Sequence, residues 1–142
     1  NRPGVLDAEE TVSIEAIQAA SHTAFSLNGL QSFTKQKNIK DGLHEIYKIS
    51  KGWTCVTNGE KGVFFLEKSQ LVNIPAAKVD AKDTLGAGDV WHGAFSLSLA
   101  EGNNEVNAVK FANSAATLKC TVFGGRKGFP NRNQLKHFTK GR

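Results

Sequence analysis

One stretch of the sequence indicates both the fold and the chemistry: Asp83-Thr84-Leu85-Gly86-Ala87-Gly88-Asp89. Two carboxylates enclose a pair of glycines, and the apolar residues 90–95 continue directly with the spacing of a helix. Glycine allows a sharp backbone turn and a close approach to a ligand. A helix N-terminus offers unpaired N–H groups and the positive end of a dipole, which together suit phosphate. The stretch therefore predicts a phosphate-binding turn with a carboxylate base at its edge.

The same residues also have purely structural interpretations. A glycine pair can make a tight turn, Asp83 can be a turn residue, and Asp89 can stabilise a helix dipole by a few tenths of a kcal/mol. Two further glycine-bearing segments, residues 57–62 and 124–128, favour phosphate binding, because turn formation alone does not need three such loops. The spacing does not fit the Walker pattern, since no Gly-Lys-Ser/Thr follows the glycines. It does not fit a dinucleotide fingerprint either, since the preceding segment is polar and proline-ended.

The composition is that of one ordinary globular domain. The chain has 142 residues, of which 39% are apolar and 22% charged, enough for a sizeable core. No apolar run approaches the roughly 18 residues of a membrane span, and the N-terminus has no signal-peptide pattern. Cys55 and Cys120 lack metal-ligand spacing and are predicted to be buried free thiols, so a cytoplasmic location is expected. Because the sequence contains no methionine, the chain is expected to begin inside a longer protein.

The net charge of +5 is unevenly distributed. Residues 1–105 hold 10 basic and 13 acidic side chains, whereas residues 106–142 hold 8 basic and no acidic ones. Such a basic segment can bind nucleic acid, can serve a polyphosphate ligand, or can be a solvated helix face. The segment contains no recognised nucleic-acid motif, so a nucleic-acid partner is not expected. A membrane partner is not expected either, because no apolar run is long enough to span a membrane.

Periodicity along the chain predicts alternating helices and strands. Predicted helices cover residues 12–20, 30–37, 39–49, 86–100 and 105–120, with a last one after Pro130. Predicted strands cover residues 23–27, 53–57, 62–66 and 71–74, and the last three form a hairpin set that Pro75 ends. Asn28-Gly29 is expected to end the first of these strands. The alternation favours a layered α/β fold in a single domain.

With these elements placed, the opening stretch resembles the second signature of the ribokinase-like (PfkB-type) carbohydrate kinases, and residues 90–95 fit its usual continuation. Residues 57–62 are similar to the family's Thr-x-Gly-x-x-Gly nucleotide loop, and residues 111–116 to the helix that lines its adenine pocket. Residues 124–130 resemble the loop that closes the nucleotide and monovalent-cation sites. The resemblance implies a partial ribokinase-like three-layer α/β fold. Residues 1–142 would be a single partial domain, the C-terminal nucleotide-binding half, without the N-terminal sugar-binding half and the lid.

The resemblance also implies an activity, which is transfer of the γ-phosphoryl group of ATP to a hydroxyl of a sugar or nucleoside. Under it, Asp89 is the general base that takes the hydroxyl proton, and Mg²⁺ bridges the ATP phosphates. The backbone N–H groups of Gly86, Ala87 and Gly88 form an anion hole for the phosphoryl group. The resemblance also implies that Thr57, Gly59 and Gly62 contact the phosphates and ribose. It implies that Asn113 contacts adenine and that Gly125 lies in the closing loop. A monovalent cation such as K⁺ would be bound by Asp83 and the Leu85 carbonyl.

Two positions depart from the family pattern. The family's Asn-x-x-Glu motif, which is tied to Mg²⁺ and phosphate, is matched best by Asn28-Gly29-Leu30-Gln31. Glutamine keeps a hydrogen-bonding oxygen there but loses the charge, which bears on metal handling. Trp91 stands where the family commonly has phenylalanine, and we interpret this as a packing change.

Three functions remain open at this level. The first is the sugar kinase, whose signature slightly favours a ketose-type acceptor such as fructose and whose full-length form is expected to be a homodimer. The second is a nucleotide-binding module that no longer catalyses. The third is a basic nucleic-acid-binding domain.

Overall fold

The computed structural model describes residues 4–9, 11–76 and 86–121 of the chain. Its backbone contacts divide the chain into two compact units, Asn1–Ile74 and Pro75–Arg142. The first unit is built from a sheet and helices, and the described part of the second unit is a pair of helices.

The first unit alternates strands and helices. Its strands are β1 (Val5–Ala8), β2 (His22–Ser26), β3 (Trp53–Thr57), β4 (Val63–Glu67) and β5 (Gln70–Ile74). Its helices are α1 (Ile14–Ala19), α2 (Leu27–Thr34) and α3 (Ile39–Tyr47), with a 3₁₀ turn at Gly59–Lys61. The strands lie in chain order within one sheet, in which β1, β2 and β3 are parallel and β4 and β5 are each antiparallel to the strand before. The predicted α/β fold class is confirmed.

One face of the sheet carries the core of the first unit. Phe25 on β2 and Val56 on β3 are paired neighbours, and they share a face because successive side chains of a strand alternate between faces. Both belong to a cluster with other fully buried side chains: Ala8, Ile17, Leu30, Leu43 and Ile46. Burying each larger side chain of this kind contributes about 1.5–3 kcal/mol. Leu43 and Ile46 are the residues that α3 contributes to this cluster.

Polar side chains begin the three helices of the first unit. Ser13, Ser26 and Asn38 each accept a hydrogen bond from a backbone N–H in the first turn of the helix that follows. The bond from the Gly29 N–H to Ser26 Oγ is 3.0 Å long and starts α2 directly after β2. The prediction that Asn28-Gly29 ends β2 is therefore wrong, because both residues lie in the first turn of α2.

Gly29 is needed because α2 starts close to the end of β1. A Cβ atom on Gly29 would lie 2.7 Å from the carbonyl oxygen of Ala8 and 3.0 Å from that of Glu9. Both obstacles are backbone atoms, so a side chain at this position would force the helix away from the strand.

The predicted hairpin set is confirmed as β3, β4 and β5. A two-residue turn at Lys68 and Ser69 joins β4 to β5. Both turn residues have positive φ values, 50° and 65°, a combination that matches the right-handed twist of a two-residue hairpin. Pro75 follows β5, as predicted.

The second unit contains two described helices, α4 (Ala87–Ala100) and α5 (Glu105–Cys120). Val90 and Ala115 form a buried cluster against which Ala94 and Phe111 pack, so the two helices run antiparallel as a hairpin. The predicted bounds of α5 are confirmed, and α4 begins one residue later than predicted. The predicted glycine-rich loop and last helix lie outside the described residues.

The helix α4 buries one apolar face, as its sequence predicts. Trp91, Phe95 and Leu99 repeat every four residues and are buried, whereas Leu97 is 45% exposed. None of the helices in the described ranges combines the length and the hydropathy needed to cross a membrane.

Both cysteines are free thiols, as predicted, but their burial differs. Cys55 on β3 is fully buried, and Cys120 in the last turn of α5 is only partly buried. Burial raises the pKa of the Cys55 thiol above its ordinary value. The buried thiol is therefore a weak nucleophile, and we expect its main effect to be on stability.

The buried Cys55 thiol should make the fold sensitive to alkali. The ordinary pKa of a cysteine is 9.0, and above that pH the unfolded chain loses a proton that the folded chain keeps. The stability present at neutral pH should therefore fall as the pH rises, by about 1.4 kcal/mol for each pH unit above about pH 9. Denaturant unfolding at a series of pH values measures this slope.

Cys55→Ala is the control, because it removes the thiol and leaves the strand in place. The free energy of unfolding of this variant should stay nearly constant up to about pH 10. Beyond that pH, Tyr47 should produce a slope in both proteins, because burial raises the pKa of its phenol as well. Equal slopes of the two proteins between the ordinary pKa values of 9.0 and 10.0 would contradict the prediction.

Candidate active site

The start of α4 is a glycine in a left-handed conformation. Gly86 is the N-cap residue, with φ 81° and ψ 0°, values that favour glycine because a Cβ atom is strained there. The Val90 N–H donates to the Gly86 carbonyl over 3.0 Å and closes the first turn. The first N–H groups of a helix have no partner within the helix, and no side-chain cap bond forms at this end of α4.

The other described α-helices differ from α4 in this respect. Each of them has a capping side chain that accepts a hydrogen bond from its first turn, namely Ser13, Ser26, Asn38 and Asn104. Among the described α-helices, α4 is thus the one in which no N-cap side chain accepts a hydrogen bond from the first turn. Uncovered N–H groups at the positive end of a helix dipole suit an anion such as phosphate.

Space and charge at this helix start also fit a phosphate ligand. Gly88 is exposed, and a Cβ atom on it would meet no described atom within 4 Å. Asp89 is exposed and lies in the first turn of α4. Helical side chains lean toward the N-terminus of their helix, so the Asp89 side chain is expected to be directed toward the same end of α4. The turn can therefore bind an anion and hold a proton acceptor next to it.

Below this turn, a buried hydrogen bond joins α4 to α5. Trp91 Nε1–H donates to Asn113 Oδ1 over 2.8 Å, and the two residues are 5% and 7% exposed. The Trp91 ring stacks on Phe95, with ring centroids 4.9 Å apart and ring planes 16° apart. Trp91 is thus more than the packing change predicted from the sequence, because phenylalanine could not donate this bond.

This bond was not predicted, although the sequence contains a signal for it. A buried tryptophan usually finds a partner for its indole N–H, and Asn113 was an evident polar residue on the neighbouring helix. Asn113 was predicted at the adenine. The structure places it inside the helical hairpin with its carbonyl oxygen bonded to Trp91, and its contact with adenine stays a prediction.

In the first unit, the predicted nucleotide loop is a compact turn at the end of β3. Gly59 and Gly62 have φ values of 52° and 88°, so both positions favour glycine. The Asn58 N–H donates to the Gly62 carbonyl over 2.8 Å, and the Lys61 N–H donates to the Asn58 carbonyl over 3.0 Å. Thr57 Oγ1 donates to the Phe25 carbonyl over 3.4 Å. These bonds fix the loop to the central strands of the sheet.

Asn73 on β5 braces the same loop. Its Nδ2 group donates to the Lys61 carbonyl over 3.0 Å and to the Val63 carbonyl over 3.1 Å. Asn73 was not predicted to have a role, although asparagine is uncommon in strands and the residues on both sides of Asn73 are apolar. That contrast was the available signal.

The glutamine that departs from the family motif has a structural partner. Gln31 lies on α2, and its Nε2 group donates to the Lys37 carbonyl over 3.1 Å. A glutamate could not donate this bond, so glutamine ties α2 to the segment that leads into α3. Asn28, three residues earlier, is exposed.

The predicted site residues fall into three groups. Gly86, Ala87, Gly88 and Asp89 form the start of α4, and Asn113 lies on the neighbouring helix of the same unit. Thr57, Gly59 and Gly62 lie together at the end of β3 in the first unit. Asp83, Leu85 and Gly125 lie outside the described residues. Within residues 4–9, 11–76 and 86–121, His, Cys, Asp and Glu side chains form no cluster of three that could hold a metal ion.

Comparison with known proteins gives a consistent family. The model of the pfkB family carbohydrate kinases matches residues 5–132. The ribokinase of Bacillus subtilis (strain 168) is 42% identical over 81 residues, which make up 57% of this chain and 28% of that protein.

Solved structures agree with the sequence comparison. A candidate ribokinase from Agrobacterium tumefaciens is 34% identical, with a TM-score of 0.87 over 98% of this chain and 47% of that one. The fructokinase of Vibrio cholerae O395, solved with fructose, ADP and calcium ion bound, is 28% identical, with a TM-score of 0.79 over 88% of this chain and 42% of that one. The chain therefore spans less than half the length of the proteins it matches.

Proposed function

Because the chain belongs to the pfkB family of carbohydrate kinases, we propose that it is the nucleotide-binding part of an ATP-dependent kinase that phosphorylates a sugar hydroxyl. The observation that carries the proposal is the start of α4, where Gly86 begins the helix without a side-chain cap. In phosphoryl transfer, catalysis is almost entirely positioning and electrostatic stabilisation. A helix start with uncovered N–H groups and a neighbouring carboxylate offers both.

In this proposal the backbone of α4 binds the transferring group. The N–H groups of Gly86, Ala87 and Gly88 form the anion hole, and the left-handed conformation of Gly86 sets the direction of the turn. Donors fixed in advance stabilise developing charge without reorganisation during the reaction. Asp89 is the general base, which accepts the proton of the attacking sugar hydroxyl as the new oxygen–phosphorus bond forms and the bond from the γ-phosphorus to the leaving ADP breaks.

Several residues are proposed to contact the nucleotide. Thr57, Gly59 and Gly62 hold the phosphates and ribose, Asn113 contacts adenine, and Gly125 belongs to the loop that closes over the nucleotide. Mg²⁺ would neutralise charge on the ATP phosphates, and Asp83 with the Leu85 carbonyl would hold a monovalent cation such as K⁺. The Vibrio cholerae fructokinase, which was solved with ADP and a divalent cation, supports an adenine nucleotide and a metal ion as ligands.

The acceptor is proposed to be a sugar, with pentoses and ketoses as the first candidates. The Bacillus subtilis relative is a ribokinase, and the Vibrio cholerae structure contains fructose. The second candidate function, nucleotide binding without catalysis, is favoured by Gln31, whose side chain lacks the charge of the family's glutamate and donates to Lys37 instead.

Acceptor-dependent formation of ADP tests the proposal. The full gene product is incubated with ATP and Mg²⁺ and with ribose, fructose or a nucleoside in turn, and ADP is measured against a reaction without acceptor. We expect at least one acceptor to raise the rate well above this background. If the protein binds ATP in calorimetry but no acceptor raises the rate, the binding module replaces the kinase.

A further inference from the structure

The buried face of α5 carries several small side chains. Ala108, Ala112 and Ala115 are buried and recur at intervals of about one turn. Phe111 packs against the buried cluster of Val90 and Ala115, so apolar packing already favours one register. The alanines alone distinguish poorly between registers one turn, about 5.4 Å, apart, so a directional interaction strengthens this choice.

The bond between Trp91 and Asn113 is such an interaction. Its length of 2.8 Å and the burial of both residues mean that a one-turn shift would leave a buried donor and a buried acceptor unpaired. Leaving such groups unpaired adds its own cost to that of the changed packing. A single buried polar contact can fix helix register in this way.

Neighbouring aromatic rings restrict both the orientation and the position of the Trp91 indole, which carries the donor N–H. The Trp91 ring is stacked on Phe95, and it meets the His92 ring edge-on, with centroids 5.2 Å apart and ring planes 81° apart. Contacts on the face and at the edge restrict rotation of the indole. The indole N–H of Trp91 is therefore directed toward one position along α5, that of Asn113.

We propose that Trp91 is a positioning residue for the nucleotide: its indole N–H sets the register of α5 against α4 and thereby orients Asn113. Trp91 lies two residues after Asp89, so the same bond ties the position of Asn113 to the anion-binding turn. The proposal rests on the proposed function, in which Asn113 contacts adenine. Its consequence is that Trp91, without touching the nucleotide, contributes to the choice between adenine and guanine.

Trp91→Phe in the full gene product tests this consequence. Phenylalanine keeps an aromatic ring against Phe95 but lacks the N–H. Calorimetric titrations with ATP and with GTP give a ratio of dissociation constants that reports nucleobase discrimination. We expect the variant to bind ATP about tenfold more weakly, to bind GTP nearly as the wild type does, and so to discriminate about tenfold less.

A double variant separates positioning from stability. In Trp91→Phe with Asn113→Leu, neither member of this bond is left buried without the other, so the unfolding midpoint should return toward that of the wild type. The proposal expects discrimination between ATP and GTP to stay low in this stable protein, since Asn113 is gone. A purely structural bond would instead let discrimination recover together with stability, and that result would overturn the proposal.

The outcomes also distinguish this proposal from the proposed function. If the wild type discriminates between the nucleotides and both variants do so equally well, the role of Trp91 fails and the kinase assignment survives. If the wild type binds neither nucleotide, both fail. If Trp91→Phe does not fold, the double variant still overturns the proposal when it discriminates between ATP and GTP as well as the wild type does.

Discussion

Replacing Asp89 with asparagine should lower kcat for phosphoryl transfer by about 10²- to 10⁴-fold, the usual contribution of a positioned general base. Asparagine has nearly the same shape as aspartate but cannot accept the proton of the attacking hydroxyl. The dissociation constant for ATP and the KM for the sugar should change little, because neither depends on that proton transfer. Steady-state ADP formation by the full gene product gives kcat, and calorimetry gives the ATP affinity.

Glu105→Gln is the matched control for this substitution. Asp89 and Glu105 are the acidic residues in the first turns of α4 and α5, so both amide variants lose a similar interaction with a helix dipole. Only the Asp89 variant should lose activity. Wild-type kcat in Asp89→Asn would remove the residue from its proposed role, and an equal loss in Glu105→Gln would trace the effect to helix stability.

Gly88→Ala should lower phosphoryl transfer by about 10²- to 10³-fold, the loss typical of one anion-hole donor, while the fold becomes more stable. The added methyl group would meet no described atom within 4 Å, and alanine is favoured over glycine in a helix by about 1 kcal/mol. The methyl group would occupy the space through which a phosphoryl oxygen reaches the N–H groups. ADP formation and thermal unfolding, measured on the same protein, should therefore change in opposite directions.

Gly93→Ala provides the comparison for this second substitution. Gly93 lies further along α4, is exposed, and has equally open surroundings among the described residues. Its alanine variant should gain the same helix stability without the loss of activity. If the two variants lose activity equally, the cause is a general change in α4 and the anion hole is contradicted.

Local sequence patterns predicted the bounds of those helices and strands whose formation depends mainly on their own residues. The run of β-branched and aromatic residues gave the bounds of β3 correctly, and Asn104 with the alanine-rich segment after it fits the correct bounds of α5. The prediction for α1 was only partly correct, since the helix covers Ile14–Ala19 rather than residues 12–20. Ile17 is buried in it, but Ile14 is 48% exposed. A helix this short buries little more than one side chain, so periodicity decides its orientation poorly.

The start of α2 was misread because two local signals compete there. Asn28-Gly29 is a common turn sequence, but Ser26 is also a good helix N-cap. The cap prevails because a glycine at position 29 lets α2 pack closely against the end of β1. That close approach is a tertiary contact, and no local pattern contains it.

For the candidate site, the sequence predicted the glycine turn at the start of α4 but not the side chains that support the site. The glycine turn at α4 follows from the spacing of residues 83–89, since its geometry is local. The supports are side chains that reach across elements: Trp91 bonds to Asn113 on α5, and Asn73 bonds to the loop after β3. Those partners are distant in sequence, so only the fold shows them.

The order of the strands in the sheet has a consequence for how the first unit forms. Each strand pairs with the one that precedes it in the chain, so no pairing has to wait for a strand made much later. Pairing between strands that are consecutive in the chain loses less chain entropy than pairing between distant ones. We therefore expect β1 to β5 to pair in chain order while the ribosome is still extending the chain.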